Sequence, residues 1–576
     1  MLEAGDKVSC WIGDVFPARE VIESLWSDHF ILRYSLEVQN ASADFNIVSQ
    51  SVSPLAVEKG IMTMMLLPIG ETRKNVSGRL LQRLFSELER HRKVRMIGAF
   101  NEAMDRGILA FANTVGIGIV PIQELRIFLC LLSAFPISFG FRHLPHNPTV
   151  KHVLGGIIGF WYGLYVFGDV IYHSTFSAMV AYLIMCAMDA KKGMMHKAVF
   201  IWSMLYLSVG QAWRVYLHFY SEELQTDFSG AQMLITIKLT TLAFDYYDGT
   251  RLLLGDEKLT PHQKKMNVVS FPSFIEFWGY IYHYNGFMAG PIFNFKEYRE
   301  YTNMQMFQSV GGVIPQNYSR AWRRLFDSLF LVIFVVLSQV IPVTFMSTPE
   351  WDNLNFFYRY GYMWLSTSLT RTPYYFAWVS SEAACIMSGY AFSGKDEKGN
   401  NTWERAQAVH ILDFELAQNF REASESWNIR TDRWLKHYVY ERVRSNGVFL
   451  TFLTSSVWHG FFPGYYLSFM SCAPTIIAMR IIRRNLRSKF MREDGTPLPS
   501  KKYYDMVCFL GTTVVMNFYF CTFKLAQLDY SLHVWTSLYF CGHILTLSAL
   551  LLALVVGPPR RSRQNPTDTP AKIRKD

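Results

Sequence analysis

The chain has 576 residues, of which 50% are hydrophobic, 16% are aromatic and only 18% are charged. This charge content is low for a soluble protein of such length, so the composition predicts a polytopic membrane protein. The net charge of +10 does not indicate nucleic-acid binding, because the basic residues are dispersed over short loops between apolar stretches. Five basic segments show this pattern and predict cytosolic loops: 191–192, 258–265, 320–324, 480–489 and 560–575.

Charge-free stretches long enough to cross a bilayer recur along the chain. Five of them are 153–168, 198–213, 328–349, 506–523 and 530–559. Together with stretches that hold one polar residue, they predict an all-α fold with roughly 11 membrane-embedded helices. The eight cysteines show no paired spacing, and HExxH, GxGxxG and GxxxxGK[ST] motifs are absent. We therefore expect neither a disulfide framework nor a metal site.

The two ends of the chain differ in character from its apolar middle. Residues 1–103 contain no apolar run that could span a membrane and no start typical of a secretory signal, so we expect no cleaved targeting peptide. Within them, residues 79–96 fit either a basic amphipathic helix on a membrane surface or a solvated helix. We interpret residues 1–103 as an N-terminal extension that is dispensable for chemistry. Residues 558–576 are rich in proline and charge and predict a disordered, basic cytosolic tail.

Between residues 121 and 220, apolar runs alternate with short polar loops and predict four helices packed as antiparallel neighbours. The next segment, 232–249, has membrane character but contains Lys238, Asp245 and Asp248. Charged residues at such a depth must pair with each other or face water. An interhelical ion pair is therefore one interpretation of this segment.

A buried carboxylate is predicted further along the chain. Tyr375, Trp378 and Glu382 are spaced by three and four residues and share one face of a helix. This face presents a carboxylate among aromatic rings. Pairing of the Glu382 carboxylate with a backbone donor is the alternative interpretation.

Residues 395–418 are polar and predict a cytosolic or interfacial segment, which leads to Asn428. A helix is predicted from about residue 432 to residue 444, because Leu435, Val439 and Val443 recur every fourth position while charged residues occupy the other faces. The pattern indicates an amphipathic helix at the membrane surface. This helix separates Asn428 from the next apolar segment.

His459 lies within an apolar segment that runs from residue 448 to about residue 479. An ionisable group at membrane depth is costly and indicates a functional site, and histidine exchanges a proton near neutral pH. A packed histidine that neighbouring helices satisfy is the alternative. Gly460 and Pro463 favour function, because they break the helix and open the backbone beside the ring.

Two motifs, WNIRTDRWLK from Trp427 and WHGFFPGYY from Trp458, resemble the membrane-bound O-acyltransferase family, and within it the broad-specificity lysophospholipid acyltransferases of fungi. The resemblance covers residues 104–557, which we interpret as one domain. It implies a helical fold around a reaction chamber, with Asn428 and His459 as the catalytic pair. It further implies substrate contacts from Trp427, Trp458, Tyr465, Tyr466, Tyr375, Glu382 and Asp245, the last as part of the chamber wall.

The resemblance implies acyl transfer from long-chain acyl-CoA to the free hydroxyl of a lysophospholipid in the endoplasmic reticulum membrane, with no permanently bound cofactor. A neutral histidine is the general base, and the asparagine amide either donates to the oxyanion or orients the histidine. Direct attack without a covalent acyl-enzyme is expected, because no serine elbow or reactive cysteine motif is present. A sterol or diacylglycerol acceptor, a transporter and a lipid-binding scaffold are the alternatives.

Overall fold

The computed structural model describes residues 98–556 apart from 99, 111, 115–119, 221–226, 444 and 493. The predictions for residues 79–96 and for the tail at 558–576 lie outside these residues. The fold is almost entirely helical, as the sequence predicts. A two-stranded antiparallel hairpin, β1 (Gly394–Lys395) and β2 (Asn401–Thr402), pairs Gly394 with Thr402.

The α-helices follow in chain order. They are α1 Ile122–Arg142, α2 Pro148–Phe167, α3 Ile171–Ala187, α4 Met195–Tyr220, α5 Ser229–Leu253, α6 Pro261–Met266, α7 Phe274–Tyr282, α8 Tyr284–Phe287, α9 Phe295–Thr302, α10 Tyr318–Val340, α11 Pro349–Asp352, α12 Phe356–Leu369, α13 Thr372–Ser388, α14 Ile411–Glu415, α15 Phe420–Ser426, α16 Ile429–Trp434, α17 Gly447–His459, α18 Pro463–Leu486, α19 Lys501–Leu525, α20 Leu528–Ser537 and α21 Cys541–Val556. Short 3₁₀ turns cover Gly168–Val170, Ala190–Lys192, Gln305–Val310, Val343–Ser347, Tyr440–Arg442 and Arg487–Phe490, and Leu435–Val439 is π-helical.

Within the described residues, five helical stretches are long and apolar enough to cross a membrane. They are Ile122–Arg142, Pro148–Ala187, Tyr318–Ser347, Pro463–Phe490 and Lys501–Leu525. Helices α20 and α21, bent by 72° at a short break, form a sixth if the pair is one broken span. A multi-pass helical membrane protein is therefore confirmed, whereas the count of eleven embedded helices is not.

The four helices predicted between residues 121 and 220 are present as α1 to α4, and each contacts the next. Helix α4 also packs along α5, and α2 packs along α7. Gly159 permits the second of these contacts, because a Cβ atom there would lie 1.7 Å from the carbonyl oxygen of Tyr282. Close approach of backbones at small residues is the usual way in which membrane helices pack.

A small apolar cluster joins α4, α5 and α17 to the segment after Asn428. Its buried members are Leu207, Ile237, Phe244, Ile292, Trp434, Tyr438 and Trp458. This cluster holds the two sequence motifs against the same pair of helices. The candidate site is therefore supported by packed helices and does not lie on a free loop.

The amphipathic helix predicted for residues 432–444 differs from the structure. Helix α16 begins at Ile429, and after Trp434 the chain widens into the π-helical turn Leu435–Val439. Trp434 and Tyr438 face the protein interior, while Leu435 is only half-buried. The prediction placed the apolar face on Leu435, Val439 and Val443, and Val439 is indeed buried. It did not include Trp434 and Tyr438, because a regular α-helical period does not contain the extra residue of a π turn.

Candidate active site

His459 is the last residue of helix α17. The helix ends there because Gly460 has φ 122° and ψ −163°, a conformation that side-chain-bearing residues rarely adopt. A Cβ atom on Gly460 would also lie 2.6 Å from Oε1 of Gln211. Pro463 then occupies the first turn of α18, where its missing N–H costs nothing. The helix break predicted from the glycine and proline of this motif is confirmed.

Aromatic rings surround the imidazole of His459. The ring stacks on Phe469 with centroids 5.1 Å apart, and it meets the edge of Phe523 at 4.9 Å. Trp458 and Tyr465 lie at 4.7 and 5.9 Å. Among the described residues, neither ring nitrogen of His459 has a hydrogen-bond partner. The arrangement therefore fixes the plane of the ring and leaves both nitrogens available for proton transfer.

Helix α4 holds the end of α17 in place. Arg214 donates from Nη2 to the carbonyl oxygen of His459 at 3.0 Å and to the hydroxyl of Tyr465 at 3.2 Å. Gln211 donates to the carbonyl oxygen of Trp458 at 3.2 Å. These contacts satisfy carbonyls that a helix end leaves without intrahelical partners. Sequence reasoning missed both residues, although their position at the end of the apolar stretch 198–213 was a signal.

Asn428 precedes helix α16 in a left-handed conformation, with φ 43° and ψ 53°. Asparagine tolerates this region better than most residues. Its carbonyl oxygen accepts from the backbone N–H of Thr431 at 2.9 Å, and the next N–H, of Ile429, donates to Ala408 at 2.8 Å. The side-chain amide, half-buried, makes no hydrogen bond with any described residue. The backbone of Asn428 is thus fixed while its amide is unengaged.

Two aromatic connections bring the Asn428 and His459 motifs together. In the first, the rings of Trp434 and Trp458 lie 6.0 Å apart. In the second, Phe520 contacts Trp427 at 6.0 Å and stacks at 5.3 Å on Phe523, the ring that touches His459. No direct hydrogen bond joins Asn428 to His459. The two motifs are therefore joined through aromatic rings.

Trp427 lies in a cage of aromatic rings that includes Tyr375. Its ring contacts Tyr375 at 5.6 Å, Trp378 at 4.9 Å and Phe414 at 4.9 Å. The hydroxyl of Tyr375 donates to Glu415 at 2.6 Å, so it is committed to that carboxylate. The structure brings Tyr375 and Trp427 together, and their contact with substrate stays a prediction.

Glu382 is buried on the same helix as Tyr375 but has a different neighbour. Its carboxylate forms an ion pair with Arg324 at 2.6 Å, so neither the expected aromatic surroundings nor a backbone donor accounts for it. Helix α13 packs along α10, which carries Arg324. The ion pair therefore assigns Glu382 a role in joining two helices.

Asp245 is buried on α5 and accepts two hydrogen bonds. Tyr438 donates to it at 2.6 Å and Asn294 at 2.9 Å. Lys238, on the same helix, donates to the backbone carbonyl oxygens of Tyr280 and Ile281. Asp245 thus anchors the segment after Asn428 to α5 through hydrogen bonds and not through an ion pair.

Two further polar groups on α5, Asp248 and Thr240, bind the same segment. Asp248 accepts from Arg442 at 2.9 Å, which is the interhelical ion pair that one interpretation predicted. Thr240 accepts from the indole N–H of Trp434 at 3.1 Å. The structure therefore places Asp245 with the scaffold of the Asn428 segment. It does not bring Asp245 into contact with His459.

Of the two tyrosines in the His459 motif, Tyr465 contacts the imidazole and Tyr466 does not. Its ring lies near the imidazole and its hydroxyl accepts from Arg214. Tyr466 is half-buried and makes no ring contact or side-chain hydrogen bond with any described residue. Trp458 is buried and donates from its indole to the carbonyl oxygen of Met233 at 3.0 Å, which positions the residue next to His459.

The fold and site define a class: a multi-pass helical membrane protein with a histidine packed among aromatic rings, on a motif that aromatic contacts join to the motif of Asn428. The family model of the membrane-bound O-acyltransferases matches residues 157–521. The chain belongs to this family, and it is an O-acyltransferase.

Named relatives are similar to the chain over most of its length. A lysophospholipid acyltransferase of Schizosaccharomyces pombe is 30% identical over 78% of this chain and 88% of its own length. A lysophospholipid acyltransferase of Saccharomyces cerevisiae is 32% identical over 74% of this chain and 73% of its own. Membrane-bound glycerophospholipid O-acyltransferase 2 of Gallus gallus is 30% identical, with coverage of 77% and 87%.

Proposed function

We propose that this protein transfers an acyl group from long-chain acyl-CoA to the free glycerol hydroxyl of a lysophospholipid, giving a diacyl phospholipid. The observation that carries the proposal is the imidazole of His459, held between aromatic rings with both nitrogens unengaged by described residues. The names of the relatives from two fungi support the choice of acceptor. The endoplasmic reticulum membrane is the proposed location.

In this reaction, His459 removes the proton of the acceptor hydroxyl as its oxygen attacks the thioester carbonyl carbon. A carbon–oxygen ester bond forms and the carbon–sulfur bond of the thioester breaks. The proton held by His459 passes to the leaving sulfur, which departs as the thiol of coenzyme A. The imidazole is thereby returned to its neutral form, so one histidine serves as base and then as acid.

The Asn428 amide is suited to the negative charge that develops on the carbonyl oxygen. An amide N–H stabilises an oxyanion when no other acceptor engages it beforehand. The Asn428 side chain has no hydrogen-bond partner among described residues, and its backbone is fixed at both sides. The alternative role, orientation of the imidazole, requires a contact between the two side chains that this structure does not contain.

Direct attack by the acceptor fits the surroundings of His459. Covalent catalysis through serine or cysteine requires the nucleophile within hydrogen-bond reach of its base. Within the described chain, no serine or cysteine is hydrogen-bonded to the His459 ring. The nearby Ser456 hydroxyl donates instead to the carbonyl oxygen of Phe452 at 2.9 Å. We therefore propose a single-step transfer without an acyl-enzyme.

The test is acyl transfer by membranes in which this protein is the only acyltransferase. Oleoyl-CoA is supplied with lysophosphatidylcholine, lysophosphatidylethanolamine or lysophosphatidic acid, and separately with a sterol or a diacylglycerol. We expect a phospholipid product and release of coenzyme A with at least one lysophospholipid, both lost in the His459→Ala protein. Acylation of the sterol or diacylglycerol alone would overturn the proposed acceptor while leaving the catalytic residues in place.

A further inference from the structure

A polar cleft of about 260 Å³ lies beside the Asn428 motif. Its lining residues are Arg320, Glu404, Gln407, His410, Ile429 and Arg433. Ile429 directly follows Asn428, so the cleft borders the candidate active site. Its charged lining contrasts with the aromatic rings around His459. The two regions are therefore suited to different parts of a substrate.

The two arginines of this cleft lack ion-pair partners of the kind that Arg324 and Arg430 have in the same elements. Arg324, on the helix of Arg320, pairs with Glu382, and Arg430, on the helix of Arg433, pairs with Glu297. Neither Arg320 nor Arg433 has an ion pair or side-chain hydrogen bond with any described residue. Two guanidinium groups with unused donors thus face one cleft.

The charge of the cleft is positive even with its carboxylate included. Glu404 is the one acidic residue that lines it, and this carboxylate forms no ion pair with Arg320 or Arg433. The next residue after the lining residue Ile429 is the buried Arg430, whose Nε and Nη2 atoms are without a partner among the described residues. A cleft with these groups is complementary to an anion.

We propose that this cleft binds a phosphate group of a substrate. The guanidinium group matches phosphate oxygens through two parallel hydrogen bonds, which makes arginine the preferred residue for such recognition. The volume is below the roughly 300–1,000 Å³ of pockets that enclose a whole small ligand, so the cleft holds the anionic end of a longer molecule. The proposal rests on the proposed function, in which the donor and the acceptor both carry phosphate.

The first experiment measures steady-state kinetics of Arg320→Gln and Arg433→Gln with each substrate varied in turn. Loss of a charge-assisted hydrogen bond should raise one KM about 10-fold or more, with kcat changed less than about 3-fold. Arg323→Gln and Lys436→Gln are matched controls, since both are exposed, lie in the same two segments and do not line the cleft. Their KM values should stay at the wild-type level.

The substrate whose KM rises identifies the source of the phosphate. A rise for acyl-CoA assigns the cleft to the phosphates of the coenzyme A donor, and 3′-dephospho-coenzyme A esters would then test which phosphate is bound. A rise for the lysophospholipid assigns it to the acceptor headgroup. Unchanged KM values for both substrates in both variants, with the controls equally unchanged, would overturn the proposal.

A second experiment does not depend on turnover. Binding of labelled coenzyme A and of labelled lysophosphatidic acid is measured in the His459→Ala protein, with and without Arg320→Gln. We expect the added substitution to weaken binding of one probe about 10-fold or more, and Arg320→Lys to restore part of it. If Arg320→Gln changes the binding of neither probe, the assignment of the cleft is overturned. Arginine-dependent binding together with absence of acyl transfer by the protein that retains His459 would overturn the proposed function and leave the assignment of the cleft in place.

Discussion

His459 and Glu382 are both polar residues enclosed by helices, yet their surroundings differ. Glu382 contacts Arg324 at 2.6 Å, so its charge is neutralised by a neighbouring helix. His459 is packed against aromatic rings, and neither of its nitrogens is bonded to a described residue. The first arrangement stabilises the fold, while the second leaves a proton acceptor for a substrate.

Asp245 and Asn428 differ in the same way. Asp245 accepts hydrogen bonds from Tyr438 and Asn294, whereas the Asn428 amide is unengaged in the described chain. A carboxylate whose oxygens already accept hydrogen bonds from the protein is less available to a substrate than an amide that is not hydrogen-bonded. The free amide of Asn428 therefore points to chemistry more strongly than the burial of Asp245 does.

The largest effect is expected from His459→Ala, because general-base catalysis typically contributes roughly 100-fold to 10,000-fold in rate. Turnover with oleoyl-CoA and a lysophospholipid should fall by that factor, at unchanged abundance in membranes. His543→Ala is the matched control: its ring also packs against aromatic residues, with Trp535 at 4.4 Å, but has no ring contact with His459. Equal turnover in the two variants would contradict the role of His459.

Asn428→Ala should lower kcat by roughly 100-fold to 1,000-fold, the usual cost of losing one oxyanion donor. Asn428→Gly removes the side-chain amide without adding backbone strain, since glycine adopts φ 43° without penalty. It therefore separates the effect of the amide from the effect of strain. Both variants should lose turnover to a similar extent. Recovery of activity in the glycine variant would show that Asn428 only shapes the backbone.

Asn446 provides a control for this experiment. It too precedes a helix, α17, with a positive φ of 54°, but its side chain is exposed. Asn446→Ala carries the same type of backbone strain and should keep kcat within a few-fold of wild type. A loss as large as that of Asn428→Ala would mean that strain near the site, and not the amide, limits turnover.

Arg214→Ala should lower kcat about 10-fold to 100-fold with KM little changed, because a misplacement of about 1 Å at a reacting group can cost 100-fold. The guanidinium holds the carbonyl oxygen of His459 and the hydroxyl of Tyr465. Arg214→Lys, which keeps one donor, should recover part of kcat. A rise in KM without loss of kcat would instead assign Arg214 to substrate binding.

The sequence predicted the elements of the site better than their contacts. Gly460 and Pro463 have strong local preferences, so the helix end after His459 was predictable, and the apolar runs predicted the helices of the first half. The polar partners were not predictable in this way. Glu382 is 58 residues from Arg324 in sequence and Asp245 is 193 from Tyr438, and no local pattern defines such pairs.

The segment after Asn428 shows a second limit. A regular period of four residues placed its apolar face on Leu435, Val439 and Val443, and Val439 is buried. The structure also presents Trp434 and Tyr438 to α5, which that period did not predict. Hydrogen bonds to Thr240 and Asp245 stabilise that orientation, and they belong to another helix. Similarly, no sequence motif marks Arg214, because its contacts with His459 and Tyr465 arise only where α4 meets the end of α17.

The smallest effect on turnover is expected from Glu382→Gln, although its effect on stability is large. Removing one partner of a buried ion pair leaves the other charge uncompensated and lowers the free energy of unfolding by about 3 kcal/mol or more. Asp327, which lies 3.2 Å from Arg324, offsets part of this loss. Thermal unfolding in detergent should therefore occur at lower temperature, while kcat per folded molecule stays within a few-fold of wild type. Glu425→Gln, which breaks an exposed pair with Arg421, should leave both quantities nearly unchanged. If Glu382→Gln lowered kcat without lowering the unfolding temperature, the Glu382 carboxylate would act in turnover and not in stabilising the fold.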